Sequence, residues 1–196
     1  QQKSQSKNNG SNSYERFFKE KNLKDSESSK GKQVDDELVS PELQAQCKSY
    51  KDGKKVVNYE ILLDTCAVID LLTDADNLGK GALDLIGDPE VQLFASFETM
   101  REIIVHYNNK ELLSKQWKRA EDVIRFVEDE LEIEFIPLRR HVGYTYANLR
   151  LNTAQDHRDP SDHIIIAHAI TEHLTLLSSD QKFPYYRDQG LDLIEY

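Results

Sequence analysis

The run Tyr59–Glu60–Ile61–Leu62–Leu63–Asp64 decides how this chain is read. Three consecutive apolar residues bounded by polar ones suit a short strand buried on both faces. An aspartate closes it. A helical pattern follows through Val68, Ile69, Leu71 and Leu72, and a second from Leu78 to Ile86 stops at Gly87–Asp88–Pro89. Val91–Gln92–Leu93–Phe94 reads as the next strand. Ser96 then caps a helix carrying Met100, Ile103, Ile104 and Tyr107, with Glu98 and Thr99 suited to its first turn.

Further on, Leu113, Trp117, Ala120, Ile124 and Val127 form one stripe, which predicts a long amphipathic helix from Lys110 to Glu130. Ile133–Glu134–Phe135–Ile136 reads as a third strand stopped by Pro137, and a helix is expected over 138–151. Another helix covers 160–172, Thr175–Leu176–Leu177 is a fourth strand, and Leu191–Asp192–Leu193–Ile194 is a fifth at the sheet edge. Strands alternating with helices predict an α/β fold with a central parallel sheet covered on both sides. Ligands in such folds sit beyond the carboxyl ends of the strands, where Asp64 and Asp180 fall.

Charge divides the chain in two. Residues 1–59 hold 12 Lys and Arg against 9 Asp and Glu, whereas the remaining 137 hold 13 against 26. The second part is acidic and gains nothing from the usual attraction to phosphate backbones, so nucleic-acid contact there needs a metal or a local basic strip. Residues 1–13 are Gln, Lys, Ser, Asn and Gly with almost nothing to bury, which predicts disorder. We therefore divide the chain into a mostly disordered leader, 1–56, and a folded domain, 57–196. The leader is either without a specific role or a tail in which Tyr14, Phe17, Phe18 and the 41–50 stretch pack on the domain.

Two cysteines, Cys47 and Cys66, make neither a disulfide framework nor a zinc motif. No apolar run approaches the roughly 18–20 residues of a membrane span. No signal peptide is visible, and the missing initial methionine points to a cut or processed chain. The expected location is the cytoplasm.

Four carboxylates stand at segment ends: Asp64, Glu102, Asp162 and Asp180. Like charges a few ångströms apart raise one another's pKa, so a cluster of them cannot stay ionised without a cation. If the four meet, they make a magnesium site. Each also has a plainer reading. Asp64 could be only a helix N-cap, Glu102 a solvated helix residue with Glu98 as competitor, Asp162 a first-turn carboxylate complementing the helix dipole, and Asp180 a turn residue.

Taken in order, Leu62–Leu63–Asp64–Thr65, Ser96 with Glu102, Asp159–Pro160–Ser161–Asp162 running into Ile166–Ala167–His168–Ala169, and Leu177–Ser178–Ser179–Asp180 resemble the motifs of the PIN-domain family. The likeness is to its bacterial toxin branch, the VapC-like ribonucleases of toxin–antitoxin pairs, and covers about residues 58–196. It implies a three-layer α/β/α fold that binds Mg²⁺ or Mn²⁺ and cleaves single-stranded RNA, with a cognate antitoxin and a homodimer as expected partners, and it would make a packed leader over 1–56 an antitoxin-like tail. Asp64, Glu102 and Asp162 match the family's three principal acids, and Asp180 its variable fourth. Thr65 matches a hydroxyl that supports the first aspartate, and Asp159 a carboxylate behind the ligands.

Magnesium takes hard oxygen ligands and keeps several waters, one of which becomes the nucleophile. Glu102 is the group expected to orient or deprotonate that water. Arg139, Arg140, Arg150, Arg158 and His163 are candidate RNA contacts, and Lys115, Lys118, Arg119 and Arg125 read as a solvated helix face. Two positions depart from the family pattern. Cys66 stands where a polar Asn or His is common, and His163 where Arg is usual, with less fixed positive charge beside a phosphate. The competing reading is therefore a degenerate PIN module that binds metal, RNA or a protein without cleavage. A phosphatase with an aspartyl nucleophile would want a second acid where Cys66 stands.

Overall fold

The computed structural model describes residues 49–51, 54–56 and 59–196. Tyr14, Phe17, Phe18, Cys47 and most of the expected leader lie outside the described residues. Near its end, strands β1 (Ser49–Lys51) and β2 (Lys54–Val56) pair antiparallel with Ser49 opposite Val56. The sequence reading has no strand there.

Strands β3 (Tyr59–Leu63), β4 (Val91–Ser96), β5 (Ile133–Ile136), β6 (Thr175–Ser178) and β7 (Leu193–Glu195) form one sheet in the order β5-β4-β3-β6-β7. Every pair in it is parallel, and Leu63 lies opposite Ala95 on one side and Leu177 on the other. Helices α1 (Thr65–Thr73), α2 (Gly79–Ile86), α3 (Phe97–Asn108), α4 (Ala120–Asp129), α5 (Arg140–Asn148) and α6 (Pro160–Glu172) make the connections.

The central strand shows why the sheet is covered twice. Successive strand side chains point to opposite faces. Ile61 and Leu63 join one core with Val68, Leu71, Ile103, Val123 and Val127. Leu62, between them, joins the other with Ile165, Ile166, Ala169, Phe183 and Tyr186. This is the expected α/β/α arrangement. Leu62 is fully buried, so Leu62→Ala is expected to cost about 2–5 kcal/mol of unfolding free energy. Urea denaturation checks this: a lower midpoint with an unchanged slope is the expected result.

Three boundaries differ from the sequence reading. The helix expected from Lys110 begins only at Ala120, because the Lys118 and Arg119 amides both donate to the Asp122 carboxylate, which starts the helix there. Lys110 itself is left-handed at φ 64°, ending α3. The helix expected over 138–151 is shorter, Arg140–Asn148. The last strand starts at Leu193 and not at Leu191, whose amide still bonds back to the Tyr186 carbonyl in the turn of Phe183–Gln189. Helix α6 follows the sequence closely: Asp159 accepts from the Ser161 amide at 2.9 Å, and Pro160 takes the first helical position. Among the described residues, no helix is long and apolar enough to cross a membrane.

Candidate active site

Asp64 follows β3 with an extended backbone, and its amide donates to the Leu177 carbonyl at 3.1 Å, tying the ends of β3 and β6 together. Both side-chain oxygens are engaged. Oδ1 accepts from the Thr65 amide at 2.7 Å, capping α1, and Oδ2 accepts from the Ser178 hydroxyl at 2.7 Å. The carboxyl is buried, and its pKa is pushed up to about 7. Burial is the main cause; the Ser178 bond works against it, and the charges of Asp162 and Glu102 add to it. Asp64 is thus the N-cap of α1 and also lies within reach of the charges of Asp162 and Glu102.

Short links carry this group to its neighbours. The Thr65 hydroxyl donates to Glu102 Oε2 at 2.6 Å, so it supports the glutamate of α3, while only its amide supports Asp64. Ser178 Oγ also accepts from the Asp180 amide at 3.1 Å, and Asp180 Oδ1 accepts from the Lys182 amide at 2.7 Å. A continuous chain of contacts therefore runs Glu102–Thr65–Asp64–Ser178–Asp180.

On the far side stands Asp162, in the first turn of α6, with Oδ2 2.9 Å from Nε2 of the buried His157. Burial pushes its pKa up to about 6; the His157 bond opposes this, and Asp159 and Asp180 reinforce it. Single ligand atoms of His157, Asp162 and Asp180 lie within 4.8 Å of one another. Asp64 and Asp162, whose protons are held on by burial first and by neighbouring acids second, with an imidazole beside them, suit a divalent cation, whose charge would oppose those shifts. The donor set fits a metal.

Glu98, the competing acid in α3, has another occupation. Arg101 donates to its Oε1 through Nε at 2.9 Å and Nη2 at 2.7 Å, and Nη2 also donates to Ser161 Oγ at 2.7 Å. Burial raises the Glu98 pKa, but the bonds from Arg101 and Ser161 outweigh it and hold the group below its ordinary range. Arg101 lies 3.8 Å from Glu102 Oε1 with half of its side chain exposed. It is a cation fixed at the rim of the acids.

The other expected residues distribute unevenly. Ser96 is buried, capping α3 through the Glu98 amide at 3.1 Å and meeting His168 Nδ1 at 2.9 Å. Asp159 caps α6. Arg139 stands exposed before α5, and the Arg140 guanidinium lies 5.3 Å from the Tyr144 ring centre. Arg150 is paired with Asp188 at 2.6 Å and Arg158 with Asp156 at 2.5 Å. His163 is a correction: it is buried, its ring centre 4.5 Å from that of His157, and it presents nothing to a phosphate. Cys66 is exposed, yet crowding first and then the charges of Asp64, Asp162 and Asp180 push its thiol up to about 12, so it is no nucleophile.

Residues 61–188 match the family described as PIN domain. The chain belongs to the PIN-domain family. PIN domains are generally nucleases, which supports a hydrolase activity for the chain. Its fold is similar to that of VapBC2 from Rickettsia felis, solved bound to a promoter DNA fragment: TM-score 0.53, 20% identity, 69% of this chain and 98% of that one. VapBC-1 from nontypeable Haemophilus influenzae gives 0.52 at 21% identity over 69% and 97% of the two chains. DNA-bound VapBC from Salmonella typhimurium gives 0.50 at 17% over 70% and 98%. At these identities the likeness is one of fold. No curated protein matches the chain in sequence.

The sequence reading of this PIN domain passes over His157, Ser178, Arg101 and Tyr186. Ser178 is quoted in its motif, but only the neighbouring strand shows that it faces Asp64. His157 sits five residues before Asp162 in a turn, outside any helical i,i+4 spacing. Asp156, left-handed at φ 53°, bends the chain so that it reaches the acids.

Proposed function

We propose that this chain is a cytoplasmic endoribonuclease dependent on Mg²⁺ or Mn²⁺, the toxin of a toxin–antitoxin pair, cleaving single-stranded RNA. The observation that carries this is the proximity of the acids: Asp64 and Asp180 follow β3 and β6, the charges of Asp162 and Glu102 help raise the Asp64 pKa, and that of Asp180 helps raise Asp162. The fold-level likeness to VapBC proteins supports an antitoxin partner, and a homodimer belongs to the same proposal.

The four carboxylates would hold the ion, with Asp159 behind them. Bound there, it supplies Lewis acidity that lowers the pKa of a water and shields charge growing at the phosphorus. Glu102 orients the attacking water and takes its proton at Oε1, because Oε2 is occupied by the Thr65 hydroxyl. Thr65 thereby fixes which oxygen is available. Arg101, anchored by Glu98 and Ser161, meets a phosphate oxygen and supplies the fixed positive charge that His163 does not. Arg139 and Arg140 extend the contact along the strand, whereas Arg150 and Arg158 must first leave their carboxylate partners.

Arg101→Ala in an Asp64→Asn background is expected to weaken binding of a single-stranded RNA about tenfold and to reduce the salt slope by about 0.7, one phosphate contact. Fluorescence anisotropy at several salt concentrations measures both. An unchanged slope removes Arg101 from the RNA path. The departures at Cys66 and His163, the latter buried away from any phosphate, favour the second reading, a PIN module that binds metal, RNA or a protein partner without cutting. Calorimetric Mn²⁺ binding without turnover on any RNA would select it; metal-dependent turnover rejects it.

A further inference from the structure

A buried chain of hydrogen bonds ends on Asp162. The Asn152 amide donates to the Tyr186 hydroxyl at 3.1 Å, and the same hydroxyl lies 2.9 Å from His157 Nδ1. His157 Nε2 lies 2.9 Å from Asp162 Oδ2. A phenol has one proton to give. Its oxygen already accepts from Asn152, so the proton is directed at Nδ1. Nδ1 then carries no hydrogen, the imidazole proton sits on Nε2, and Nε2–H donates to Asp162.

Everything around the ring holds that order. Asn152, His157 and Tyr186 are each no more than 1% exposed. The His157 amide bonds back to the Asn152 carbonyl at 3.1 Å. Rings close on three sides of the imidazole: His163 at 4.5 Å, Tyr186 at 5.6 Å and Phe183 at 6.0 Å between centres. The ring cannot turn away without breaking both bonds. Asp162 Oδ2 is held by it, while Oδ1 has no protein donor among the described residues.

We propose that Tyr186 and His157 are positioning residues: the phenol sets the imidazole tautomer, and the imidazole fixes the Asp162 carboxylate in the rotamer that receives the divalent ion. The proposal rests on the metal reading of the site given above. It gives His157 a different part from that of a metal ligand. A ligating Nε2 would carry no proton, and the tautomer would be Nδ1–H.

Two readouts on the full chain test it, neither of them turnover. In the metal-free wild type at pH 8, ¹⁵N NMR of His157 should show Nε2–H, and Tyr186→Phe should give a mixture of tautomers. Mn²⁺ titration followed by electron paramagnetic resonance should show affinity lowered about tenfold in Tyr186→Phe and about 10- to 100-fold in His157→Ala. His157→Gln, which still offers an N–H to Asp162, should recover most of the loss, which a purely structural role would not give. Melting curves identify any variant that fails to fold, and His157→Gln then carries the comparison. An Nδ1–H tautomer in the wild type, or Mn²⁺ affinity within twofold of wild type in both Tyr186→Phe and His157→Ala, would overturn the relay alone. A wild-type protein that binds no Mn²⁺ overturns the metal reading and the relay with it.

Discussion

Asp64→Asn is expected to slow RNA cleavage by at least about 10³-fold while the domain stays folded, since losing several kcal/mol of charge stabilisation at the metal corresponds to three decades of rate. The amide keeps the size of the side chain and still offers an oxygen to the Thr65 amide, so the start of α1 survives. What disappears is the charge at the junction of β3 and β6, the point at which the links from Glu102 and Asp180 meet. Single-turnover cleavage of a single-stranded RNA at saturating Mn²⁺, beside a melting curve, measures both halves. A variant that folds and cuts within tenfold of the wild-type rate would remove Asp64 from the chemistry.

The second large effect concerns stability, and its sign is unusual. Asp64 has a pKa of about 7 in the folded chain against an ordinary 3.8. The native state therefore holds a proton that the unfolded state has released. The contribution of this group is fully present below pH 3.8 and is lost as pH rises through 7, by about 2–3 kcal/mol between pH 5 and pH 8. Asp162, at about 6, acts in the same direction. His163 and His168 oppose it: burial lowers their pKa, so their contribution grows as pH rises toward 6.5. Glu98, held low, matters only at the acid end.

Comparing wild type with Asp64→Asn isolates the term. In urea with a chelator, the variant should gain about 2–3 kcal/mol over wild type from pH 5 to pH 8. A difference that stays flat with pH would show that Asp64 titrates normally. Excess Mn²⁺ should return the wild-type loss, because a ligand of the native state alone stabilises it.

These two effects also show how far the sequence reaches. The apolar run before Asp64 and the Asp159–Pro160 start of α6 are local signals, set by burial and capping within a few residues, and both were legible. So was the order of the four acids. The start of α4 was not, because it depends on the Asp122 side chain competing for the Lys118 and Arg119 amides inside a continuous apolar stripe. His157 escaped for a different reason. Its partners are Asp162, five residues away across a left-handed turn, and Tyr186, 29 residues away, and no periodicity brings them together. The pairing of the basic residues was equally hidden: Arg150 and Asp188 meet across 38 positions, which composition does not reveal.

The Ser178–Asp64 bond joins residues 114 positions apart. A polypeptide leaving the ribosome can complete β3, α1 and α3 long before Ser178 has been translated. Until then one oxygen of Asp64 lacks its donor and the sheet lacks β6. Pairing across such a separation is intrinsically late in folding, so the acid closing β3 cannot gain this donor until the chain has been made through Ser178.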